Sequence, residues 1–247
     1  MYSETQRDID NIQSLFFDKV EITRPSYMGE VHSIYIVKSK YGKDIFRFSD
    51  KQTASQNMIK SQVLRKYNIP VPNIGFYKIG TKYCEQYAFI EGKTLYERQQ
   101  EGLSKEQIQK IFSQIYDICH RMSNIPIQEF KSVCFKQYKT DFFFQLMNLS
   151  PMVIGHDDLH DKNILLDKDD NVCAFLDLDA VCTKPFALFL LRLFQGAEKY
   201  GYNIESIKDF DPKTYNNKNL LNIKQQTQIY YALQPFVQFF SGIAKQK

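Results

Sequence analysis

The stretch from Val153 to Val181 constrains the fold more than any other part of the sequence. It contains two short apolar runs, Ile164 to Leu166 and Val172 to Leu176, on either side of a polar turn at residues 167–171. Short apolar runs joined by a polar turn are the pattern of a β-hairpin. Because a hairpin brings its two outer ends together, we expect the polar residues that flank these runs to gather at one end.

The flanking residues carry hard oxygen ligands. Asp158 and Asn163 precede the first strand, and Asp177 and Asp179 close the second. Such ligands suit Mg²⁺ better than zinc. The spacing from His156 through Asp158 to Asn163 fits HxDxxxxN, the protein-kinase catalytic-loop pattern, in which the Asp accepts the substrate hydroxyl proton and the Asn holds a metal ion. The alternative is a solvated acidic hairpin whose Asn and Asp residues only form turns.

Three segments also carry a resemblance to a known family. They are GHDDLH at 155–160, NIL at 163–165 and LDLD at 176–179. They resemble the aminoglycoside phosphotransferase and choline kinase family, which shows HGDLHxxN, a hairpin, and then IDF or IDW followed by an acid. The resemblance implies a bilobal, protein-kinase-like α+β fold, with a small antiparallel-sheet N-lobe at residues 1–90 and a mainly helical C-lobe at residues 91–247.

The same resemblance implies an activity and its residues. The activity is transfer of the γ-phosphoryl group of ATP or GTP to a hydroxyl of a small acceptor, which is an aminoglycoside, an amino alcohol or a sugar. Asp158 is implied as the catalytic base, Asn163 and Asp177 as Mg²⁺ ligands, and His156 as a residue that structures the loop. Asp157 replaces the usual Gly. Since Asp is among the few residues that tolerate a positive φ, the loop can still form.

The N-terminal third of the sequence is predicted to form β-strands. The apolar pattern predicts strands at Val20–Thr23, Val31–Lys38 and Asp44–Ser49. Arg47 lies on the third of these, where kinase folds place the cation that contacts the α- and β-phosphates, and its planar fork suits phosphate oxygens. The alternative is a surface Arg on an edge strand. The loop at residues 25–30, expected to cover the phosphates, has a single Gly and is a weak signal.

The segment Thr53 to Tyr67 predicts a helix whose inward residues are Met58, Val63 and Leu64. In the family that the sequence resembles, this helix usually carries a Glu that anchors the strand cation, and here that position is Lys60. Three explanations stay open: another acid substitutes, the helix sits differently, or phosphate binding is weakened. The two cations would repel each other, so we expect a bound triphosphate to bring both into the site.

The sequence from Tyr87 to Gly92 resembles the interlobe hinge of the family, where backbone groups bond the nucleotide base. The resemblance implies nucleotide contacts from Phe89 and Ile90 of this segment. It also implies contacts from Leu165 and Leu176 of the hairpin. None of these four apolar residues identifies a nucleotide site by itself.

The C-terminal part of the sequence is predicted to be mainly helical. Ser104 to Met122 predicts an amphipathic helix that opens with a capping box between Ser104 and Gln107. Further helices are predicted at residues 140–149, 185–200 and 223–240. The family often carries DPAxDL after the metal-binding motif, whereas this chain has KPFAL at residues 184–188 and lacks both acids.

Composition excludes several classes of function. The 247 residues carry a net charge of +4, from 32 basic and 28 acidic residues that are spread out, so the clustered stripe of a nucleic-acid binder is missing. No apolar run approaches the roughly 20 residues of a membrane span, and the first residues lack a signal-peptide pattern, so we expect a cytoplasmic protein. Five cysteines without a CxxC pair argue against a disulfide framework and a structural zinc site.

Two other functions stay open. One is a pseudokinase, which is a nucleotide-binding or scaffold domain without turnover. Lys60 and the Gly-poor loop favour this function. Against it stands the intact set of Asp158, Asn163 and Asp177, which a chain released from catalysis need not keep. The other is a protein kinase acting on Ser or Thr. His160 after the catalytic Asp and the lack of an APE-like segment argue against it.

Overall fold

The computed structural model describes residues 4–25, 33–130, 133 and 152–185. In chain order the helices and strands are α1 (Glu4–Gln13), β1 (Glu21–Thr23), β2 (Ser33–Ser39), β3 (Gly42–Ser49), α2 (Lys51–Lys66), β4 (Gly75–Ile79), β5 (Lys82–Ala88), β6 (Lys93–Thr94), α3 (Leu95–Glu101), α4 (Lys105–Ser123), β7 (Met152–His156), β8 (Ile164–Leu166), β9 (Val172–Phe175) and β10 (Val181–Pro185). Single 3-10 turns lie at Ile127–Phe130 and Leu178–Ala180. The three strands predicted near the N-terminus are confirmed as β1 to β3.

The chain divides into two compact units. The first is formed by residues 1–102 and 161–181, and the second by residues 103–160 and 182–247. This division differs from the predicted lobe boundary after residue 90. The reason is that β6 pairs with β8, so the segment after the predicted hinge and the β8–β9 hairpin belong to the N-terminal unit.

The first unit is built on a five-stranded antiparallel sheet in the order β1-β2-β3-β5-β4. Burial alternates along β2, where Tyr35 and Val37 are buried, and this period of two is what a strand with one apolar face shows. In β3 the residues from 45 to 48 are all buried, and Phe46 packs with Tyr35 and with Ile12 of α1. Because β3 lies between β2 and β5, a residue such as Arg47 is central in the sheet and cannot be on an edge strand.

Helix α2 follows β3 directly, because Asp50 caps its first turn by accepting from the Thr53 amide at 2.9 Å. The prediction for its inward face is only partly right. Leu64 is buried, whereas Met58 and Val63 are half-buried. The remaining buried residues of this helix are small or polar: Ala54, Asn57, Lys60 and Ser61. The inward face is therefore held by polar contacts rather than by an apolar stripe.

The predicted hairpin is confirmed as β8 and β9, which pair antiparallel with Ile164 opposite Phe175. Its turn is ordered by Asp167, whose Oδ1 accepts from the amides of Asp169 and Asn171, both at 2.9 Å. Phe175 donates its amide to the Pro70 carbonyl at 2.8 Å. This bond fixes the hairpin against the connection between α2 and β4.

The second unit, as far as the structure describes it, contains α4, the turn at Ile127–Phe130 and a two-stranded sheet of β7 and β10. The predicted capping box is present, because the Ser104 hydroxyl accepts from the Gln107 amide and the Gln107 side chain accepts from the Ser104 amide. The buried face of α4 includes Ile111 and Ile115, and α4 packs against β7. Strand β7 leads into the predicted catalytic loop.

Several predictions fall outside the described residues. They are most of the phosphate-covering loop at residues 25–30 and the helices at 140–149, 185–200 and 223–240. In the part of the chain that is described, no helix has the length and apolar character needed to cross a membrane. The cytoplasmic location stays a prediction. The four cysteines within the described ranges carry no disulfide.

Candidate active site

The open end of the β8–β9 hairpin places two predicted metal ligands side by side. Leu176 donates its amide to the Asn163 carbonyl at 2.9 Å, which continues the hairpin ladder by one step. Asp177 therefore comes directly after the residue that is bonded to Asn163. Its backbone is left-handed, with φ 58° and ψ 66°. Such a conformation is uncommon for a residue other than Gly and is concentrated at functional sites.

Asn163 and Asp177 suit an Mg²⁺ ion that takes its other ligands from phosphate and water. In the described ranges, no group of three or more His, Cys, Asp or Glu side chains could hold a metal ion. Mg²⁺ in nucleotide sites is commonly held by one or two carboxylates together with waters and phosphate oxygens, so it does not need such a group. Asp177 supplies one half-exposed carboxylate and Asn163 one amide oxygen. The donor types fit an Mg²⁺ ion that is held partly by its nucleotide.

Asp179 does not add to a cluster of acids at the hairpin end, contrary to expectation. Its carboxylate is bonded to Arg47 of β3 and to the Asn57 amide of α2. The turn at Leu178–Ala180 explains the difference, because it directs the chain away after Asp177. Asp179 is therefore hydrogen-bonded to Arg47, whereas the Asp177 carboxylate lies 3.9 Å from the same guanidinium.

Arg47 is a buried cation with carboxylates around it, so the alternative of a surface Arg is wrong. The residue is 6% exposed. Its Nη1 donates to Asp179 at 3.0 Å and to Glu85 at 3.2 Å, and its Nη2 donates to the second oxygen of Asp179. A third carboxylate, that of Asp177, lies 3.9 Å from Nη2. Burial opposes the charge, but the bond to Asp179 and the neighbouring negative charges outweigh it and raise the pKa of Arg47.

Glu85 is the substitute acid that the sequence left open. It lies on β5, opposite Arg47 in the register, and is 1% exposed. Asn57 donates to Glu85 at 3.1 Å and Ser49 donates to it at 3.2 Å. Burial nevertheless raises the pKa of Glu85 more than Arg47 and these donors lower it, and the charge of Asp179 raises it further. Arg47 is thus shared between two acids. Asp179 is bonded to both of its terminal nitrogens, whereas Glu85 is bonded to Nη1 and is the weaker partner.

Lys60 has a role that the sequence did not indicate. Its Nζ donates to the carbonyl oxygen of Leu178 at 2.9 Å and to that of Asp179 at 3.3 Å. The expectation that Lys60 and Arg47 repel each other until a triphosphate arrives is therefore wrong, since each cation has oxygen partners within the chain. Lys60 instead ties α2 to the turn that follows Asp177.

The predicted hinge begins where the sheet ends. Phe89 donates its amide to the Lys43 carbonyl at 2.9 Å, so this group is used in the β3–β5 ladder. The Lys43 ammonium lies 5.0 Å from the Phe89 ring centroid and 2.8 Å from Glu91 Oε1. A base contact from Phe89 would thus use its carbonyl or its ring. The contacts predicted for Phe89 and Ile90 stay predictions.

Gly92 brings the hinge segment against the hairpin. A Cβ at this position would lie 2.4 Å from the Leu166 carbonyl oxygen and 3.1 Å from Leu165 Cγ. Two residues later, Thr94 pairs with Leu165 in the β6–β8 ladder. The structure thus brings the buried Leu165 close to the hinge segment. Leu176, at the other end of the hairpin, is half-buried, and the nucleotide contact predicted for it stays a prediction.

The loop that carries Asp158 belongs to the second unit. His156, at the end of β7, is fully buried, and its Nδ1 accepts from the Asp158 amide at 3.3 Å. The Asp158 carbonyl accepts from the His160 amide at 3.0 Å. The carboxylate of Asp158 is 62% exposed and lies 3.5 Å from His160 Nε2. The loop thus fixes the backbone of Asp158 and leaves its carboxylate accessible to a small molecule.

Asp157 does not have the positive φ for which its tolerance was considered. In the described ranges, residues other than Gly with positive φ are Asn68, Asp170 and Asp177. Asp157 instead forms an ion pair with Lys184 of β10, with Nζ 2.5 Å from Oδ1. Its side chain, rather than its backbone, is what distinguishes this position.

Comparison with known proteins identifies the fold. No protein-family model matches this sequence. No curated protein matches it in sequence either. Solved structures do resemble it. The GDP complex of an aminoglycoside 2′-phosphotransferase has a TM-score of 0.59 at 13% identity, with 82% of this chain and 84% of that chain covered.

Two further structures resemble the chain to a similar degree. A spectinomycin phosphotransferase in complex with ADP and spectinomycin has a TM-score of 0.54 at 12% identity over 80% of each chain. An ethanolamine kinase from Plasmodium vivax has a TM-score of 0.52 at 16% identity, with 83% of this chain and 71% of that chain covered. At identities this low, the structural similarity establishes the fold alone. The predicted protein-kinase-like α+β fold, and with it the resemblance to these kinases, is therefore confirmed at the level of structure.

Proposed function

We propose that this chain transfers the γ-phosphoryl group of ATP or GTP to a hydroxyl group of a small acceptor, such as an aminoglycoside, an amino alcohol or a sugar. The observation that carries the proposal is the open end of the β8–β9 hairpin. There Asn163 lies beside the left-handed Asp177, and the buried Arg47 lies 3.9 Å from the Asp177 carboxylate. An oxygen pair with a nearby fixed cation suits a metal-bound polyphosphate.

Asp158 supplies the acid–base chemistry in this proposal. Its carboxylate accepts the proton of the acceptor hydroxyl as that oxygen attacks the γ-phosphorus, and the bond from phosphorus to the leaving nucleoside diphosphate breaks. The backbone bonds from His156 and to His160 hold Asp158 in place while its carboxylate stays exposed. Asn163 and Asp177 would hold the Mg²⁺, which neutralises negative charge on the phosphates.

The nucleotide and acceptor classes draw support from the fold. One similar structure is a GDP complex, and another holds ADP together with spectinomycin. A third is named as an ethanolamine kinase. Phosphoryl transfer in this fold depends on positioning and charge more than on covalent chemistry, so different acceptors can share one catalytic set. We accordingly propose a nucleoside triphosphate and a small alcohol as the partners of this chain.

The proposal is tested by nucleotide consumption. Purified protein is assayed with Mg²⁺ and either ATP or GTP against a panel of aminoglycosides, amino alcohols and sugars. We expect one acceptor class to raise consumption above the rate without acceptor. The Asp158→Asn variant, whose substitution lies at an exposed side chain, is the control for contaminating kinases. Consumption that equals the wild-type rate in both Asp158→Asn and Asp177→Ala would rule out this chain as the source.

One observation favours a second candidate, a nucleotide-binding domain without turnover. Both terminal nitrogens of Arg47 are bonded to Asp179, so in this arrangement Arg47 does not supply the phosphate contact that would align a bound triphosphate for transfer. A domain of this kind would bind a triphosphate with Mg²⁺ and show no acceptor-dependent consumption across the whole panel. Calorimetry of nucleotide binding, run beside the assay, separates the two candidates.

A further inference from the structure

A further buried cation, Lys184, lies outside the residues discussed for the reaction. Lys184 is on β10 and is 1% exposed. Its Nζ lies 2.5 Å from Oδ1 of Asp157, which is half-buried. Strand β10 pairs with β7, and Asp157 is the first residue after β7. The ion pair therefore links β10 to the first residue of the loop that carries Asp158.

The interior position of this ammonium group makes its partner important. Burial raises the pKa of the Cys119 thiol on α4, and the positive charge of Lys184 offsets part of that effect. The charge thus lies close to the fully buried face of α4. A buried ammonium is costly unless a charged or polar partner faces it. Here that partner is the carboxylate of Asp157.

The ion pair completes the attachment of the loop. On one side of Asp157, the ring of His156 accepts from the Asp158 amide. On the other side of Asp158, His160 donates its amide to the Asp158 carbonyl. Among these contacts, the one made by Asp157, which lies between His156 and Asp158, is formed by its side chain. Two of the departures from the family pattern, an acid at 157 and a cation at 184, meet in this one contact.

We propose that Lys184 is a positioning residue: its ion pair with Asp157 fixes the loop so that the carboxylate of Asp158 has a single orientation for proton transfer. This inference rests on the phosphoryl transfer proposed above. Misplacement of a reacting group by about 1 Å can cost on the order of a hundredfold in rate. Lys184 itself contacts no reacting atom in the proposed phosphoryl transfer.

The test is a mutant cycle with Lys184→Met, Asp157→Asn and the double variant. We expect kcat of Lys184→Met to fall about ten- to hundredfold, while KM for the nucleotide stays unchanged, since the residues proposed for the nucleotide lie in the other unit. Asp157→Asn should lower Tm more than Lys184→Met, because it leaves a buried ammonium without a carboxylate. The double variant should recover Tm but not kcat.

Hydrogen exchange gives a readout that does not depend on turnover. The Asp158 amide, which is bonded to His156, should exchange faster in Lys184→Met than in the wild type. The matched control is Arg121→Met, which breaks an exposed ion pair with Asp117 on α4 of the same unit. It should change neither kcat nor the exchange of the Asp158 amide. If the wild type turns over no acceptor, the proposed function fails, and the exchange data alone decide the positioning role.

Two results would overturn the inference. The first is a folded Lys184→Met protein with wild-type kcat and wild-type exchange at Asp158. The second is a double variant that recovers kcat together with Tm, which is what a purely structural pair would show. If Lys184→Met does not fold, Asp157→Glu replaces it. That change keeps the charge pair but lengthens the link by one methylene, so kcat should fall severalfold, and an unchanged kcat would refute the role.

Discussion

The two groups most directly tied to the proposed chemistry, Arg47 and Asp158, are held in opposite ways. Arg47 is 6% exposed and is fixed through its side chain, by Glu85 and Asp179. Asp158 is fixed through its backbone, and 62% of its side chain is exposed. A group that only holds charge can be locked by other side chains. A group that must exchange a proton needs its side chain available, so the fold positions it by its main chain.

The largest effect expected from this contrast is at Asp158. Asp158→Asn should lower kcat about 10²- to 10⁴-fold, because the amide cannot accept the hydroxyl proton. The exposed position predicts unchanged folding and nearly unchanged nucleotide affinity. Steady-state kinetics and calorimetry measure the two quantities on one preparation. Wild-type turnover in a folded Asp158→Asn protein would remove Asp158 from the chemistry.

Lys60 tests whether the first unit depends on locked side chains. Lys60→Glu would place a carboxylate against the carbonyl oxygens of Leu178 and Asp179, and a buried charge without a partner costs about 3 to 5 kcal/mol. We expect a loss of that size in the free energy of unfolding, measured with urea. Lys60→Gln, which can still donate, should lose clearly less. Equal losses for the two variants would contradict the contact to the carbonyl oxygens.

Asp177 tests the metal assignment. Asp177→Ala should weaken binding of the Mg²⁺-nucleotide at least about ten- to hundredfold, because the proposed site loses its one carboxylate ligand. Binding of the nucleoside without phosphates should not change. Calorimetry with and without Mg²⁺ checks both. An unchanged dependence on Mg²⁺ would exclude Asp177 as a ligand.

Arg47→Lys keeps the positive charge and removes the planar fork. We expect triphosphate affinity to fall about tenfold, which corresponds to one charge-assisted hydrogen bond, while nucleoside affinity stays the same. Arg98→Lys is the matched control, because Arg98 also makes a two-point contact with an acid, Asp170, in the same unit. A loss of equal size for the nucleoside and the triphosphate would place Arg47 outside the phosphate site.

The smallest effect concerns pH. The folded protein raises the pKa of Glu85 above its ordinary value of 4.5, chiefly by burial. Just above pH 4.5 the unfolded chain therefore loses this proton first, and the free energy of unfolding falls as the pH rises through that window. Glu85→Gln should lack this component, so its stability relative to the wild type should increase from pH 4 to pH 7. A relative decrease, measured by urea unfolding, would show that the pKa is lowered instead.

Local patterns were enough to predict much of this molecule. The apolar pattern of residues 20–49 predicted β1 to β3, and the polar turn at residues 167–171 predicted the hairpin. Because hairpin pairing is local, it also predicted that Asn163 and Asp177 lie together. The capping box of α4 depends on two residues three positions apart, Ser104 and Gln107, and was read directly from the sequence.

The partners of the cations could not be read in the same way. Glu85 contacts Arg47 because β3 and β5 pair in one particular register, and the two residues are 38 positions apart. Glu85 is the one acid in β5, and an acid within a strand was the signal that could have pointed to it. Lys60 reaches carbonyl groups more than a hundred residues away, and no local pattern encodes that contact. Long-range polar contacts are therefore where the sequence-based account was incomplete.

Gly92 has a consequence for how mutational data on this protein should be interpreted. Since even a methyl group there would overlap the Leu166 carbonyl oxygen, a saturation library should return only glycine at position 92. A screen for activity would then score this position as essential, at the level expected of a residue that touches the substrate. The intolerance would come from the spacing between two backbone segments. Intolerance to substitution at position 92 is therefore no evidence of contact with a ligand.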